Sequence, residues 1–470
     1  MIHKYTLFGY NIVLDVESGA IHIVSEIAMK IIDFFEAMLE KNNFGEMPEE
    51  CPVDIRYFLA KYESSEIKDT YAELLELYKE NMLFSKPDDI KLNYNESTPV
   101  KALCLNAAHE CNMMCEYCFA GKGDFGLDNG EKKLMDEETG INAIKFLMKN
   151  SKSRKNLEVD FFGGEPLLNF DAVKNILSTT RELEKEYNKN VRFTLTTNGT
   201  LLDDEKTDFI NKNISNIVLS LDGVKETNDT MRKYNDGQGS YSDIVPLYQK
   251  LVEQRKDKKY KDYYIRGTFT KKNLNFAKDV IHMRELGFIN VSVEPVVAEE
   301  SCDYAITKED LPVIFKEYEL LAREIIKRER KQENTFNFFH FNIDLENGPC
   351  VYKRSKGCGS GSEYLAVTPN GDVYPCHQFV GNEKYKLGSV NSSEAAVLKT
   401  ELMQDFYDNN ITTNETCKKC WAKYFCGGGC PANNEKFSGG IYTPYETACE
   451  MEKKRVECAI AIKAVLSSLN

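Results

Sequence analysis

The chain has 470 residues, enough for two to four domains around a large buried core. Its 60 basic and 74 acidic residues leave a net charge of −14, which disfavours non-specific nucleic-acid binding and anionic membranes and suits a neutral or basic peptide partner. No apolar run approaches a membrane span, and the opening MIHKYTLFGYNIVLDV lacks the long apolar stretch of a secretory signal, so a cytoplasmic chain is expected.

Residues 5–14 and 20–24 predict a hairpin across Glu17-Ser18-Gly19, and helical periodicity follows at 26–41, 54–62 and 70–81. The polar stretch 85–99, with two prolines, predicts a linker. Residues 1–90 thus predict a small winged-helix-like domain, and its excess of acidic over basic residues argues against DNA binding. Beyond it, short apolar runs at 101–107, 157–162, 192–197, 216–221, 263–269 and 290–296 alternate with helical stretches at 140–150, 171–186, 204–211, 241–255 and 275–286. That alternation predicts βαβ units and a parallel sheet. Six units are fewer than a closed (β/α)8 barrel needs, so the α/β core over 91–340 is expected to be an open, partial (β/α)6 barrel. A long helix over 308–332 is expected to bridge this barrel to a cysteine-rich region over 341–470.

Just after the first barrel strand stands Cys111-x3-Cys115-x2-Cys118, in the run HECNMMCEYCF. Three thiolates cannot fill the four corners of a cubane iron–sulfur cluster, so one iron would stay open to an outside ligand. Half a zinc site is the plainer alternative, but zinc prefers two short-spaced ligand pairs, and no second pair lies nearby. The spacing, with Tyr117 before the third cysteine, resembles the signature of the radical S-adenosylmethionine (SAM) enzymes. In that family SAM chelates the open iron and is cleaved to a 5′-deoxyadenosyl radical. Gly163-Gly164-Glu165-Pro166, at the end of the next strand, resembles the family's SAM-amine site. Paired glycines there would allow close approach of backbone to a ligand, and Glu165 would face an ammonium group. The resemblance further implies Asn198 for the ribose region and Ser220 and Arg232 for the SAM carboxylate. Each of these short motifs also ends strands for purely structural reasons.

The chain has 15 cysteines, crowded toward its end, and in a reducing compartment that density points to metal rather than disulfides. The order Cys358-x12-Gly371-x4-Cys376, then Cys417-x2-Cys420-x5-Cys426-x3-Cys430, then Cys449 resembles the seven-cysteine SPASM extension of peptide-modifying radical SAM enzymes. That resemblance implies two auxiliary [4Fe–4S] clusters, hence three in all. Cys358, Cys376 and Cys430 would hold the first, with Cys350 as its candidate fourth ligand. Cys417, Cys420, Cys426 and Cys449 would hold the second. A zinc ribbon of Cys417, Cys420, Cys426 and Cys430 would leave three of the seven cysteines unexplained. Cys51, Cys104, Cys302 and Cys458 belong to neither pattern.

The runs HKYTLFGYNIVLDVESGAIH, LNAAHECNMMCEYCFA and GCGSGSEYLAVTPNGDVYPCHQFVG resemble the SCIFF maturases, which modify a small six-cysteine peptide. This resemblance implies a thioether between a peptide cysteine sulfur and a carbon of another residue, typically threonine. It implies an N-terminal RiPP recognition element that binds the leader of the precursor peptide by strand addition. An electron donor such as flavodoxin or ferredoxin is implied as well. Anaerobic sulfatase-maturing enzymes share the barrel and the seven cysteines, but they carry an aspartate where this chain has His377, and they lack the N-terminal domain. Another radical SAM peptide cyclase remains open. So does a peptide-binding protein stapled by metal, which would have every cluster fully ligated and would not turn over SAM.

Overall fold

The computed structural model describes residues 1–41, 46–87, 98–126, 132–256, 258–345, 355–392 and 399–467. Cys350 and most of the expected linker lie outside the described residues.

Strands β1 (Ile2–Leu7), β2 (Tyr10–Asp15) and β3 (Ile21–Val24) form an antiparallel sheet in that order. The single strand expected over 5–14 is two strands. A two-residue turn at Phe8-Gly9, both at positive φ (54° and 86°), folds β1 back on β2 with Leu7 opposite Tyr10. Hairpin turns of this kind need positive φ at both central positions and usually signal themselves with Asn-Gly or Asp-Gly. A phenylalanine in the first position hides the signal inside an apolar run. Helices α1 (Glu26–Lys41), α2 (Val53–Phe58) and α3 (Ser64–Lys79) complete this unit. The first matches expectation; α2 stops earlier and α3 begins earlier than expected. Ile27, Ile31, Phe35 and Leu39 of α1 recur at helical spacing and bury against Tyr71 and Leu74 of α3.

Strands β4 (Ala102–Ala108), β5 (Asn156–Gly163), β6 (Asn190–Thr197), β7 (Asn216–Ser220), β8 (Asp262–Phe269) and β9 (Asn290–Pro295) run parallel, each beside the next. The helices α4 (Glu137–Asn150), α5 (Phe170–Tyr187), α6 (Asp204–Asn213), α7 (Lys225–Met231), α8 (Tyr241–Arg255) and α9 (Phe276–Glu285) lie between them. This is the expected partial barrel, with α7 as an unexpected short addition. Parallel strands are covered by their crossover helices, so they read as buried apolar runs. Leu105, Phe161, Phe193, Ile217, Ile265 and Val293 are fully buried at their centre. The helix α10 (Leu311–Lys331) packs along the C-terminal helix Glu446–Ser467, the bridging role expected of it.

The sheet does not end with the six barrel strands. A short β10 (Asn337–Phe338) pairs with β9, while β11 (Tyr364–Val367) pairs in parallel with β4, Tyr364 opposite Ala102 and Val367 opposite Leu105. Then β12 (Asp372–Tyr374) and β13 (Gly388–Ser389) add on antiparallel. The cysteine-rich region therefore adds three strands to the barrel's own sheet, which with β10 has ten.

The Phe161 and Phe193 rings stack at 5.5 Å in the centre of the core. Phe161→Ala is expected to cost about 3–5 kcal/mol, read as a lowered denaturant midpoint; an unmoved midpoint would show that this layer does not limit stability.

Candidate active site

The loop after β4 carries the cysteine triplet, and it is seated backbone-on-backbone against the end of β5. Gly164 N donates to Ala108 O at 2.7 Å and Glu165 N to Glu110 O at 2.9 Å. A Cβ on Gly163 (φ +119°) would stand 2.3 Å from Ala108 O, and one on Gly164 would stand 2.2 Å from Glu110 O. The paired glycines thus make room for the chain's own cysteine loop.

Glu165 is fully buried. Its carboxylate accepts from Leu167 N (3.0 Å), Thr197 Oγ1 (2.8 Å) and Asn198 N (2.8 Å), which ties the end of β5 to that of β6. Burial pushes its pKa up to about 6, against these donors. Asn198 Nδ2 donates to Cys111 Sγ (3.6 Å) and to Asn112 Oδ1 (3.0 Å), so this amide braces the cysteine loop directly. Burial also raises the Cys111 thiol to about 12.

Tyr117 belongs to a buried polar triad. Its hydroxyl lies 2.7 and 2.9 Å from the two oxygens of Asp222 and accepts from Arg232 Nη1 at 3.0 Å. Thr268 N donates to Asp222 as well, at 3.0 Å. Burial lifts the Asp222 carboxyl to about 6, with Arg232 working in the opposite direction. Arg232 Nε is buried with no hydrogen-bond partner.

One cavity of about 230 Å³ gathers these groups at the C-terminal ends of the parallel strands, where α/β folds place their chemistry. Cys111, Cys115, Cys118, Tyr117, Gly163, Gly164, Asn198, Ser220 and Arg232 all line it. Glu165 stands behind the wall. The cavity is also lined by residues missed in the sequence, Arg266 and Thr268 on β8, Glu294 on β9 and Gln378, and by His377, which the sequence had marked only as standing in place of an aspartate. A polar residue at every second position of an otherwise apolar strand was the available signal. Desolvation works against the Glu294 charge, yet His340, Arg266 and Arg455 hold its pKa down to about 2. Arg266 faces Glu294 at 3.7 Å. The His377 ring packs on Phe162 and Phe119 (4.9 and 5.5 Å), and its Nδ1 lies 3.3 Å from the Tyr364 hydroxyl. Burial pushes its pKa down to about 4.

The remaining cysteines fall into two neighbourhoods. Cys376 and Cys430 each sense the charge of Cys358, and Cys376 that of Cys430. Cys417 senses Cys449 and Cys420, and Cys426 senses Cys449. Cys430 therefore sides with Cys358 and Cys376 rather than with its sequence neighbours. Among the described residues no three His, Cys, Asp or Glu side chains meet at the spacing of a single metal ion. A multi-iron cage spreads its thiolates more widely than one ion does.

Residues 105–267 match the Radical SAM superfamily, and residues 358–421 match the SPASM iron–sulfur cluster-binding domain. The cysteine-type anaerobic sulfatase-maturating enzyme of Clostridium perfringens (strain 13 / Type A) is 26% identical over 349 residues, 71% of this chain and 89% of that protein. The radical SAM cyclopropyl synthase TigE of Paramaledivibacter caminithermalis is 23% identical over 420 residues, 85% of this chain and 84% of its own length. Among solved structures, native anSMEcpe with bound AdoMet superposes with a TM-score of 0.62 at 21% identity, over 77% of this chain and 98% of that one. Streptococcus suis SuiB bound to S-adenosylmethionine superposes with a TM-score of 0.51 at 17% identity, over 95% of this chain and 98% of that one. Among the described residues no helix is long and apolar enough to cross a membrane. With its cysteine triplet at the mouth of a parallel β/α sheet and a cysteine-rich extension on the same sheet, the chain carries a radical SAM core and a SPASM iron–sulfur domain.

Proposed function

We propose that this enzyme joins a cysteine sulfur to a carbon of another residue, typically threonine, in a ribosomally made six-cysteine precursor peptide. The observation that carries this reading is the cavity itself. It is lined both by the triplet Cys111, Cys115 and Cys118 and by His377 and Gln378, which follow Cys376. A peptide residue in that space would lie beside both cysteine regions.

The donor set fits SAM on a [4Fe–4S] cluster held by the triplet. Arg232 Nε is buried and unpartnered on the cavity wall, with Ser220 on the same wall, which suits an α-carboxylate. Glu165, behind Gly164, supplies negative charge that favours an ammonium group there. When bound, SAM at the reduced cluster supplies a 5′-deoxyadenosyl radical. Asn198 keeps Cys111 oriented, and Tyr117 and Asp222 fix the Arg232 fork. Phe119 and Phe162 pack on the His377 ring. Cys358, Cys376 and Cys430 would hold one auxiliary cluster, and Cys417, Cys420, Cys426 and Cys449 the other, for three clusters in all. Cys350 would be the fourth ligand of the first, or else leave its iron open to the substrate thiolate. An electron donor such as flavodoxin or ferredoxin would reduce the enzyme.

In the N-terminal unit, β1 is covered by the C-terminal region through His3 on Trp421 and Tyr5 on the Glu457 carbonyl, whereas β3 is the other edge of its sheet. That edge suits a leader peptide added as a fourth strand. The 95% coverage by SuiB leaves no room to omit this whole unit, which supports a recognition role shared in fold. Sulfatase maturation is the second reading, favoured by the Clostridium perfringens relative. His377 in place of the aspartate of that group counts against it.

Anaerobically reconstituted protein, given SAM, reductant and a six-cysteine peptide, should yield a peptide two hydrogens lighter with one cysteine fewer open to alkylation. SAM cleavage with an unchanged peptide would sink this substrate; oxidation of a sulfatase Cys or Ser peptide would establish the second reading. Arg232→Gln should weaken SAM binding about 10–100-fold, the worth of one charge-assisted hydrogen bond, by equilibrium dialysis. His377→Asn should leave SAM binding intact while lowering peptide product per deoxyadenosine; an unchanged ratio would remove His377 from substrate positioning.

A further inference from the structure

The N-terminal sheet meets the cysteine-rich region at a caged turn as well as through β1. Asp15 is fully buried at the end of β2, and its carboxylate accepts Glu17 N (3.1 Å), Ser18 N (3.2 Å) and Ser85 N (2.8 Å). Gly19 N returns to Asp15 O at 2.8 Å. This rigid turn presents Glu17 to Lys423 in an ion pair of 2.7 Å, with the two side chains only 5% and 10% exposed. The second Glu17 oxygen accepts from the Tyr424 hydroxyl at 2.7 Å. Lys423 Nζ also reaches the Lys418 carbonyl, between Cys417 and Cys420, and Lys423 N donates to Cys420 O at 3.2 Å. Beside it the His3 ring stacks on Trp421 at 3.6 Å. Residues from the first 17 positions thus bracket the loop from Cys417 to Cys426.

We propose that Glu17 is a positioning residue for the metal centre held by Cys417, Cys420, Cys426 and Cys449: it neutralises the Lys423 ammonium beside that centre and so sets its reduction potential. The inference rests on the reading of those four cysteines as cluster ligands. Cluster potentials follow the net charge and hydrogen bonding around the sulfurs, and charges held away from solvent are poorly screened. Loss of the Glu17 carboxylate leaves a bare cation, which favours the more negative, reduced cluster and raises its potential. Loss of the Lys423 ammonium leaves a bare anion and lowers it. Loss of both restores neutrality. Buried pairs behave similarly in stability: removing one partner strands a charge, whereas replacing both with isosteres is close to neutral.

The test is a redox titration followed by electron paramagnetic resonance on the full-length, reconstituted protein. Wild type is compared with E17Q, K423M, the double variant E17Q/K423M, and C420A. The signal lost in C420A identifies the centre. That signal alone should move up in potential in E17Q, down in K423M, and back close to wild type in the double variant. Unmoved potentials in E17Q at full iron content overturn the proposal. If E17Q fails to accumulate, a double variant shifted as far as K423M overturns it equally. If C420A keeps the full iron and sulfide complement and all its signals, the cluster reading itself has failed, and the proposal falls with it.

Discussion

Strand β4 is paired on both sides by parallel partners, β5 from the barrel and β11 from the cysteine-rich region, and the placement of the chemistry depends on that double pairing. Parallel neighbours point their C-terminal ends the same way. The cysteine loop leaves β4 at the same end of the sheet as the Gly-Gly turn leaves β5. On the other flank, β11 turns through β12 and brings His377 and Gln378 to the same cavity. A slip of one residue in the β11 register would turn every side chain of that strand to the other face and carry Tyr364 away from His377. The two cysteine regions are therefore set against each other by backbone hydrogen bonds in a common sheet.

Charge compensation decides what that cavity can hold. Asp222 and Arg232 are buried and paired through the Tyr117 hydroxyl, and Glu294 is held ionised among Arg266, Arg455 and His340. Buried charges persist when they are paired and hydrogen-bonded. Arg232 keeps one buried nitrogen, Nε, without a partner among the described residues. Glu165 represents the opposite arrangement. Three of its roughly four acceptor positions are filled from the protein, which makes it first a clamp between β5 and β6. Its charge then acts on the cavity through the thin glycine wall.

The six barrel strands and most of their helices were legible because each is a local pattern: a continuous apolar run for a strand covered on both faces, and a 3.6-residue stripe for the helix that covers it. The split between β1 and β2 was not legible, because Phe8-Gly9 places an apolar residue where a turn usually shows a polar one. Strands β10 to β13 are two to four residues long and carry no period of their own. Arg266 and Glu294 stand at alternate polar positions of β8 and β9, a pattern that did not by itself mark a site. A single polar residue in a strand acquires meaning only when neighbouring strands bring others to face it.

By itself the sequence determined the cysteine spacings, the order of strands and helices, and the acidic balance of the N-terminal unit, since all of these are covalent or local properties. The division of the seven cysteines from Cys358 to Cys449 between two clusters came from the resemblance to the SPASM pattern. Tertiary structure alone decided which side chains share the cavity, that the paired glycines seat the cysteine loop, and that Glu17 meets Lys423 across 406 positions of chain. Those outcomes follow from long-range register and docking, where the free energy of a contact depends on partners that no window of sequence contains.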